Sequence, residues 1–188
     1  MRNKFVLLFL LTCRQQVFAQ EVIDTAAIKK ELAAIYDRDQ KTRARGDSSQ
    51  FADYIDSCNQ VQVERLITTY GWPGKNFVGI EGNRTVFLVI QHADLTKQVK
   101  YFPLIRKSVE DGESFRADLA LLQDRILMRQ GKKQIYGSQV VFDKKTGAQV
   151  FYPIEDERNV NIRRKKAGLQ PMEEYARYFG IDYKLPAN

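Results

Sequence analysis

The residue best suited to chemistry is His92, the only histidine of the chain. An imidazole titrates near neutral pH, so it can carry a proton in general acid–base catalysis. Asp94 or Asp124 is expected to orient the ring, and Arg125 or Arg43 to hold an anionic group of a substrate. We therefore take His92, Asp94, Asp124 and Arg125 as candidate catalytic residues of an enzyme acting on a small polar or anionic molecule.

Polar side chains also occupy helix faces that should be apolar. The apolar stripe of the first predicted helix continues at steps of four to Asp39 and Arg43. Asn59 lies on the apolar stripe of the second predicted helix. Asp124 interrupts the apolar stripe of the fifth. Burying an unpaired charge costs several kcal/mol, so these residues must find partners. The sequence predicts one shared polar cluster. A structural network that pairs Asp39 with Arg43 and Asp124 with Arg125 is the alternative.

A second hypothesis is a binding module of the cell envelope that recognises a sugar or peptide without catalysis. Aromatic faces and neutral amides are typical of such pockets. The candidate ligand-binding residues under either hypothesis are Asp39, Arg43, Asn59, Trp72, Gln91, Gln98, Gln134, Tyr136 and Gln139. A third hypothesis, pairing of a partner strand with the hairpin edge between residues 134 and 152, is weakened by Lys144, Lys145 and Pro153, which are typical of protected edges.

The sequence lacks the residues that several other kinds of functional site require. A single histidine excludes zinc sites built from His and Cys, and no phosphate-binding glycine loop or nucleophile elbow occurs. A Mg²⁺ or Ca²⁺ site using Asp39, Asp94 and Asp124 stays open as an alternative, but we predict no metal and no cofactor. Cys58 lies at helical spacing from apolar residues, which indicates a buried, inert thiol.

Residues 1–19 have the features of a secretory signal peptide. Arg2 and Lys4 precede an apolar run that is far too short to span a bilayer, and a small-residue site ends at Ala19. We expect export to the periplasm or the extracellular space, with lipidation at Cys13 as the alternative. The mature chain is expected to have no integral membrane segment.

The formal net charge of +7 falls to about +4 when the basic residues of the leader are removed. The one dense basic run, residues 163–166, has no accompanying nucleic-acid motif, so we read it as a solvated helix face and expect no nucleic-acid partner. A small polar ligand is the expected partner, and the sequence does not specify an oligomeric state.

Residues 20–188 are predicted to form a single, mainly helical domain with a small C-terminal β-hairpin. Helical periodicity predicts helices over residues 24–44, 49–70, 84–94, 95–110, 114–129, 159–167 and 171–179, with a loop from residue 71 to an N-cap at Asn83. Alternation and a Lys-Lys-Thr-Gly turn predict strands over residues 134–142 and 149–152.

An ordered set of short motifs resembles a known family. The motifs are Trp72-Pro73 with Gly79, Gln91-His92-Ala93-Asp94 with Gln98, Leu121-Leu122-x-Asp124-Arg125, Gly131-x-x-Gln134-x-Tyr136-Gly137-Ser138-Gln139, Pro153-Ile154-x-Asp156 and Arg163-Arg164-x-x-x-Gly168-Leu169. Together they resemble the bacterial family catalogued as domain of unknown function 6624, although Ser138 stands where threonine is expected. The resemblance implies a shared fold and site and carries no activity. Because its hallmarks coincide with the inward polar positions, it favours a ligand or catalytic site over a structural network.

Overall fold

The computed structural model describes residues 23–44 and 50–186, which are mainly helical with a small C-terminal hairpin, as predicted. The elements are α1 (Thr25–Ala44), α2 (Gln50–Tyr70), α3 (Lys75–His92), α4 (Leu95–Glu110), α5 (Arg116–Arg129), β1 (Val140–Phe142), β2 (Gln149–Phe151), α6 (Val160–Ala167) and α7 (Met172–Ala176). Short 3₁₀ turns, Glu157–Asn159 and Arg177–Phe179, precede α6 and follow α7. The predicted leader, residues 1–19, lies outside the described residues.

Helix α3 is the centre of the fold, because it packs against α1, α2, α4 and α5. Its Val86 and Ile90 are completely buried, as are Leu32 and Ile35 of α1. Complete burial of an aliphatic side chain contributes about 2 kcal/mol. The apolar core therefore holds α1 firmly along α3, and it fixes the position of His92 at the C-terminal end of α3.

The prediction that the loop extends to Asn83 is wrong, because α3 already begins at Lys75. The helix bends at Gly79, whose φ of 78° and ψ of 172° suit only glycine. Asn83 is no N-cap: it is buried inside α3, and its Nδ2 donates to the Pro73 carbonyl at 2.8 Å and to Ser114 Oγ at 2.9 Å. The hydrogen bonds of Asn83 thus stabilise the helical conformation of a segment whose residue types had predicted a loop.

The first predicted strand is shorter than expected. The antiparallel ladder pairs Val140 with Phe151 and Phe142 with Gln149, and it extends no further than β1 and β2. Gln134 forms only an isolated parallel bridge with Ile154. Residues 135–139 form an irregular loop instead of a strand, because their backbone donors are taken by side chains that are described below.

The outer face of α2 carries exposed aromatic side chains. Phe51 and Tyr70 are 50% and 41% exposed. Helix α2 packs mainly on α1 and α3, so its buried face is narrow. Across residues 23–44 and 50–186, no helix combines the length and the apolar character that crossing a bilayer demands.

Candidate functional site

His92, the last residue of α3, has its ring against α1. Its Nδ1 lies 3.1 Å from Oδ1 of Asp39, a carboxylate that is only 2% exposed. A carboxylate only accepts hydrogen bonds, so Nδ1 must carry the proton and donate. The other nitrogen, Nε2, then holds a lone pair, and it has no hydrogen-bond partner in the described part of the chain. The side chain is 20% exposed, so the ring can meet a ligand.

Asp39 also belongs to a chain of charges along α1 and α2. Arg43 Nη2 lies 3.4 Å from Asp39 and 2.7 Å from Asp56, so the Asp39–Arg43 pair of the alternative structural network is present. Burial acts to raise the pKa of Asp39, but the hydrogen bond and charge of His92 and the charge of Arg43 outweigh it, so the pKa lies below its ordinary value. Asp39 is therefore ionised at neutral pH.

The two carboxylates expected to orient His92 bind elsewhere. Asp94 is the N-cap of α4, and its Oδ1 accepts from the backbone N–H of Lys97 at 2.9 Å. Such a cap satisfies one of the free N–H groups at a helix start. Asp124 binds backbone N–H groups of a loop after α5. Asp39, which we had assigned only to ligand binding, holds the ring instead.

Asp124 organises the loop that replaces the predicted strand. Its Oδ1 accepts from the backbone N–H of Ile135 at 2.7 Å and of Tyr136 at 3.0 Å, and its Oδ2 from that of Ser138 at 3.0 Å. The side chain is completely buried. Three donors compensate a buried carboxylate, so this aspartate needs no arginine, and the predicted pair with Arg125 is absent.

The predicted glutamines of the loop have structural contacts. Gln134 is completely buried, and its Nε2 donates to the carbonyls of Gln139 and Tyr152 at 3.0 and 2.6 Å. Gln139 Nε2 donates to Ser138 Oγ at 3.0 Å. Tyr136 contributes its backbone N–H and carbonyl to the same network. These amides satisfy backbone groups rather than face a ligand.

Trp72 belongs to a different hydrogen-bond network. Its indole Nε1 donates to Ser114 Oγ at 3.1 Å, and that hydroxyl also contacts Asn83 and Ser108. The indole thus connects the start of α3 to the residues before α5. The predicted pocket of Trp72, Tyr136 and four glutamines is therefore not assembled as one site.

Arg125 is the candidate residue whose charge has no partner. Its Nε is fully buried, and its guanidinium makes no hydrogen bond or ion pair with any described residue. Burial lowers its pKa, as do the neighbouring charges of Arg129 and Arg43, while Tyr175 acts in the opposite direction. These influences place Arg125 within electrostatic range of Arg43, the partner of Asp39.

Most of the described buried side-chain atoms that have no hydrogen-bond partner belong to candidate site residues. Among residues 23–44 and 50–186, the buried side-chain atoms without a partner are Asn59 Nδ2, Gln91 Oε1, Gln98 Oε1, Asp118 Oδ2 and Arg125 Nε. All but Asp118 were predicted from the sequence as site residues. Buried polar atoms are rarely left unpaired, so these atoms mark positions that the described side chains and backbone do not satisfy. Gln98 still donates to the carbonyl of Gln91 at 2.7 Å, which connects α4 to the end of α3.

The described residues do not form a metal centre. Asp39, Asp94 and Asp124 have separate partners, and no group of three or more His, Cys, Asp or Glu side chains in this part of the chain is arranged to hold an ion. A cleft of about 530 Å³ lined by Tyr36, Val78 and Ile80 lies at the Gly79 bend, and its lining does not include His92 or Arg125.

Sequence reasoning missed Arg164, which was taken as part of a solvated face. It is 1% exposed, its Nη1 donates to the Tyr136 carbonyl at 2.7 Å, and its guanidinium stacks on Tyr175 at 4.6 Å from the ring centroid. Its spacing from the buried Val160 and Ala167 would have shown this, because the three share one helix face. Asp56 and Arg129 were also missed, and their sequence neighbours give no indication of a site.

The fold and the site define a mainly helical domain in which buried polar side chains from α1 and α3 meet at the end of the central helix. The chain belongs to the family described as Family of unknown function (DUF6624), whose sequence model matches residues 14–187. Comparison with curated proteins and with solved structures gave no significant match.

The role of Asp124 in the loop can be tested by its removal. Asp124→Ala leaves three backbone N–H groups without their acceptor, so the free energy of unfolding should fall by about 3 kcal/mol or more. Asp143 is the matched control, because it accepts from the backbone N–H groups of Lys145 and Thr146 in an exposed turn. Asp143→Ala should cost much less, because its partners are exposed to water. Urea unfolding followed by circular dichroism measures both, and equal losses would refute the assignment.

Proposed function

We propose that this protein is an enzyme that uses His92 as a general acid and base on a small anionic or polar substrate. The supporting observation is the hydrogen bond from His92 Nδ1 to the buried carboxylate of Asp39, with Nε2 unpaired. An imidazole held in one tautomer by a carboxylate is the usual form of a general base. The partly exposed ring allows a substrate to reach Nε2.

In the proposed reaction, the lone pair of Nε2 takes a proton from the substrate or from a water molecule. One bond from hydrogen to oxygen, nitrogen or carbon breaks, a new N–H bond forms, and the electron pair of the broken bond stays on the attacking group. Asp39 stabilises the imidazolium that results, because its negative charge lies next to Nδ1. The deprotonated group forms a bond to an electrophilic atom of the substrate, and the bond from that atom to the leaving group breaks with its electron pair going to the leaving group. The proton on Nε2 is then delivered to the leaving group, which restores the neutral ring.

Asp39 is itself held in place, which a positioning carboxylate requires. Arg43 connects it to Asp56, and Gln40 Nε2 donates to its Oδ2 at 3.0 Å. Arg38 beside it donates to Asn59 Oδ1 at 3.2 Å and to Gln62 Oε1 at 3.0 Å, so the last turns of α1 are tied to α2. A general base keeps its geometry only when the groups behind it are fixed.

A second candidate function is ligand recognition without catalysis, in the manner of an envelope binding module for a sugar or peptide. The unpaired Oε1 atoms of Gln91 and Gln98 support it, because neutral acceptors bind hydroxyl and amide groups. The two candidates differ in product formation. Stabilisation by a ligand that is recovered unchanged would favour recognition over catalysis.

We also propose that the chain is exported, on the strength of its first residues. The basic start, the short apolar run and Ala19 are those of a signal peptide. On expression in a bacterial host, the protein recovered outside the cytoplasm should begin at Gln20, as read by N-terminal sequencing. A chain retained in the cytoplasm with Met1 intact would contradict export, and a lipid-modified Cys13 at the new N-terminus would contradict cleavage after Ala19.

The catalytic proposal is tested by variants of the pair. His92→Gln should lower turnover by about a hundredfold or more, and Asp39→Asn should lower it in the same direction, because a general base typically contributes that much. Asp37→Asn is the matched control, because Asp37 lies on the same helix, is exposed and pairs only with Lys41. The assay is a panel of small anionic esters, amides and hydroxy acids.

Among substrates that the wild-type protein converts, unchanged turnover in His92→Gln would overturn the proposal. Circular dichroism and thermal denaturation should show that the variant is folded, so that loss of activity is not loss of structure. Equal losses in Asp37→Asn and Asp39→Asn would also count against a specific role for Asp39.

A further inference from the structure

The partly buried guanidinium of Arg125 has no partner in the described part of the chain, unlike the guanidinium groups of Arg163 and Arg164. Arg164 donates to the carbonyls of Tyr136 and Gln170, and the half-buried Arg163 donates to three backbone carbonyls. Arg125 has neither a carbonyl nor a carboxylate in hydrogen-bond range among the described residues, although its Nε is shielded from solvent. A buried donor without an acceptor costs free energy, so an acceptor from a ligand would be stabilised at this position.

The neighbourhood of Arg125 has an excess of positive charge. Arg43 and Arg129 are the arginines that act on it electrostatically. Asp39 and Asp56 balance two of these three charges, since both contact Arg43. One positive charge therefore remains, or two when His92 is protonated. Electroneutrality favours an anion at this place.

The position of Arg125 is coupled to that of His92 through the backbone. Arg129, one turn further along α5, donates from Nη1 to the carbonyl of Ala93 at 2.6 Å. Ala93 directly follows His92, so this hydrogen bond holds α5 against the end of α3. Helix α5 also packs on α3. A group bound by Arg125 would thus lie near the end of α3 that carries His92.

We propose that Arg125 is the anchor of an oxyanion-binding subsite, in which its guanidinium holds a carboxylate or phosphate group of the ligand beside His92. The inference deepens the proposed function and rests on it for the role of the neighbouring imidazole. Arg43 and Arg129 provide the surrounding positive charge, and Asp39 keeps His92 oriented next to the bound group.

The chemistry of the guanidinium favours an oxyanion over other ligands. It offers donors in a planar fork and no acceptor, which matches two oxygens of a carboxylate or a phosphate. A hydroxyl or amide ligand would leave the charge uncompensated. An arginine shielded at Nε between helices also does not fit an extended polyanion, because such partners bind rows of exposed basic residues.

Anion binding to the wild-type protein and to Arg125→Gln gives the direct test. The mature chain is titrated with inorganic phosphate and with acetate at constant ionic strength, using sodium chloride as the balance, and the thermal midpoint and calorimetric heat are recorded. We expect the wild-type protein to be stabilised by one of these anions, because a ligand that binds only the folded state raises its stability. In Arg125→Gln the affinity should be at least about tenfold lower, since a charged hydrogen bond is lost.

Two further variants separate an anion site from a structural arginine. Arg65→Gln is the matched control, because Arg65 is exposed and pairs only with Glu31, and it should bind as the wild type does. Arg125→Lys keeps the charge but loses the fork, so its affinity should lie between those of the wild type and Arg125→Gln. Without added anion, Arg125→Gln should be as stable as the wild type or more so, because it removes an unpaired buried charge.

The proposal is overturned if Arg125→Gln binds phosphate and acetate as tightly as the wild type, or if the wild type binds neither. A loss of stability in Arg125→Gln without any change in affinity would likewise assign the residue to packing. Preference for phosphate would identify a phosphorylated ligand, and preference for acetate a carboxylic acid; either supports the subsite.

Comparing the turnover of His92→Gln with the anion affinity of Arg125→Gln separates this inference from the proposed function. If His92→Gln loses turnover while Arg125→Gln keeps its anion affinity, the subsite fails and the acid–base function survives. If Arg125→Gln loses affinity while His92→Gln keeps turnover, the subsite survives and His92 has no catalytic role.

Discussion

The packing of α1 along α3 determines whether Asp39 can reach His92. The two residues are 53 positions apart in sequence, and the 3.1 Å contact between them exists only because apolar residues of both helices interlock. Interiors are packed as densely as organic crystals, so the separation cannot drift by even an ångström without opening a void. The packing of the core thus places the Asp39 carboxylate next to the His92 imidazole. The electrostatic interaction between the two groups depends on that packing.

Buried charge is compensated in two different ways in this molecule. Asp124 and Arg164 are satisfied by backbone groups, and together they hold the loop between α5 and β1 against α6. Asp39 is satisfied by the side chains of His92, Arg43 and Gln40, whereas Arg125 has a buried Nε with no partner among the described residues. Backbone satisfaction is typical of structural charges, whereas incompletely compensated charges are found where a ligand binds. This difference separates the loop network from the candidate site.

The sequence predicted the helical class, most helix positions and the inward polar residues, because all of these depend on local periodicity. It failed at Asn83, whose apparent cap position is overridden by hydrogen bonds to Pro73 and Ser114. It also treated Asp39 and Asp124 as members of one cluster. Both are buried on apolar stripes, and only the tertiary arrangement shows that one faces an imidazole and the other three backbone N–H groups. Periodicity gives the face on which a side chain lies, and it does not identify the partner across that face.

The tautomer of His92 shows whether Asp39 orients the ring, and nitrogen NMR of the uniformly labelled protein above neutral pH measures it. We expect the single histidine to carry its proton on Nδ1 in the wild-type protein and in Asp37→Asn, and we expect Asp39→Asn to lose this preference. A ring protonated on Nε2 in the wild-type protein, or one unaffected by Asp39→Asn, would mean that Asp39 does not orient His92.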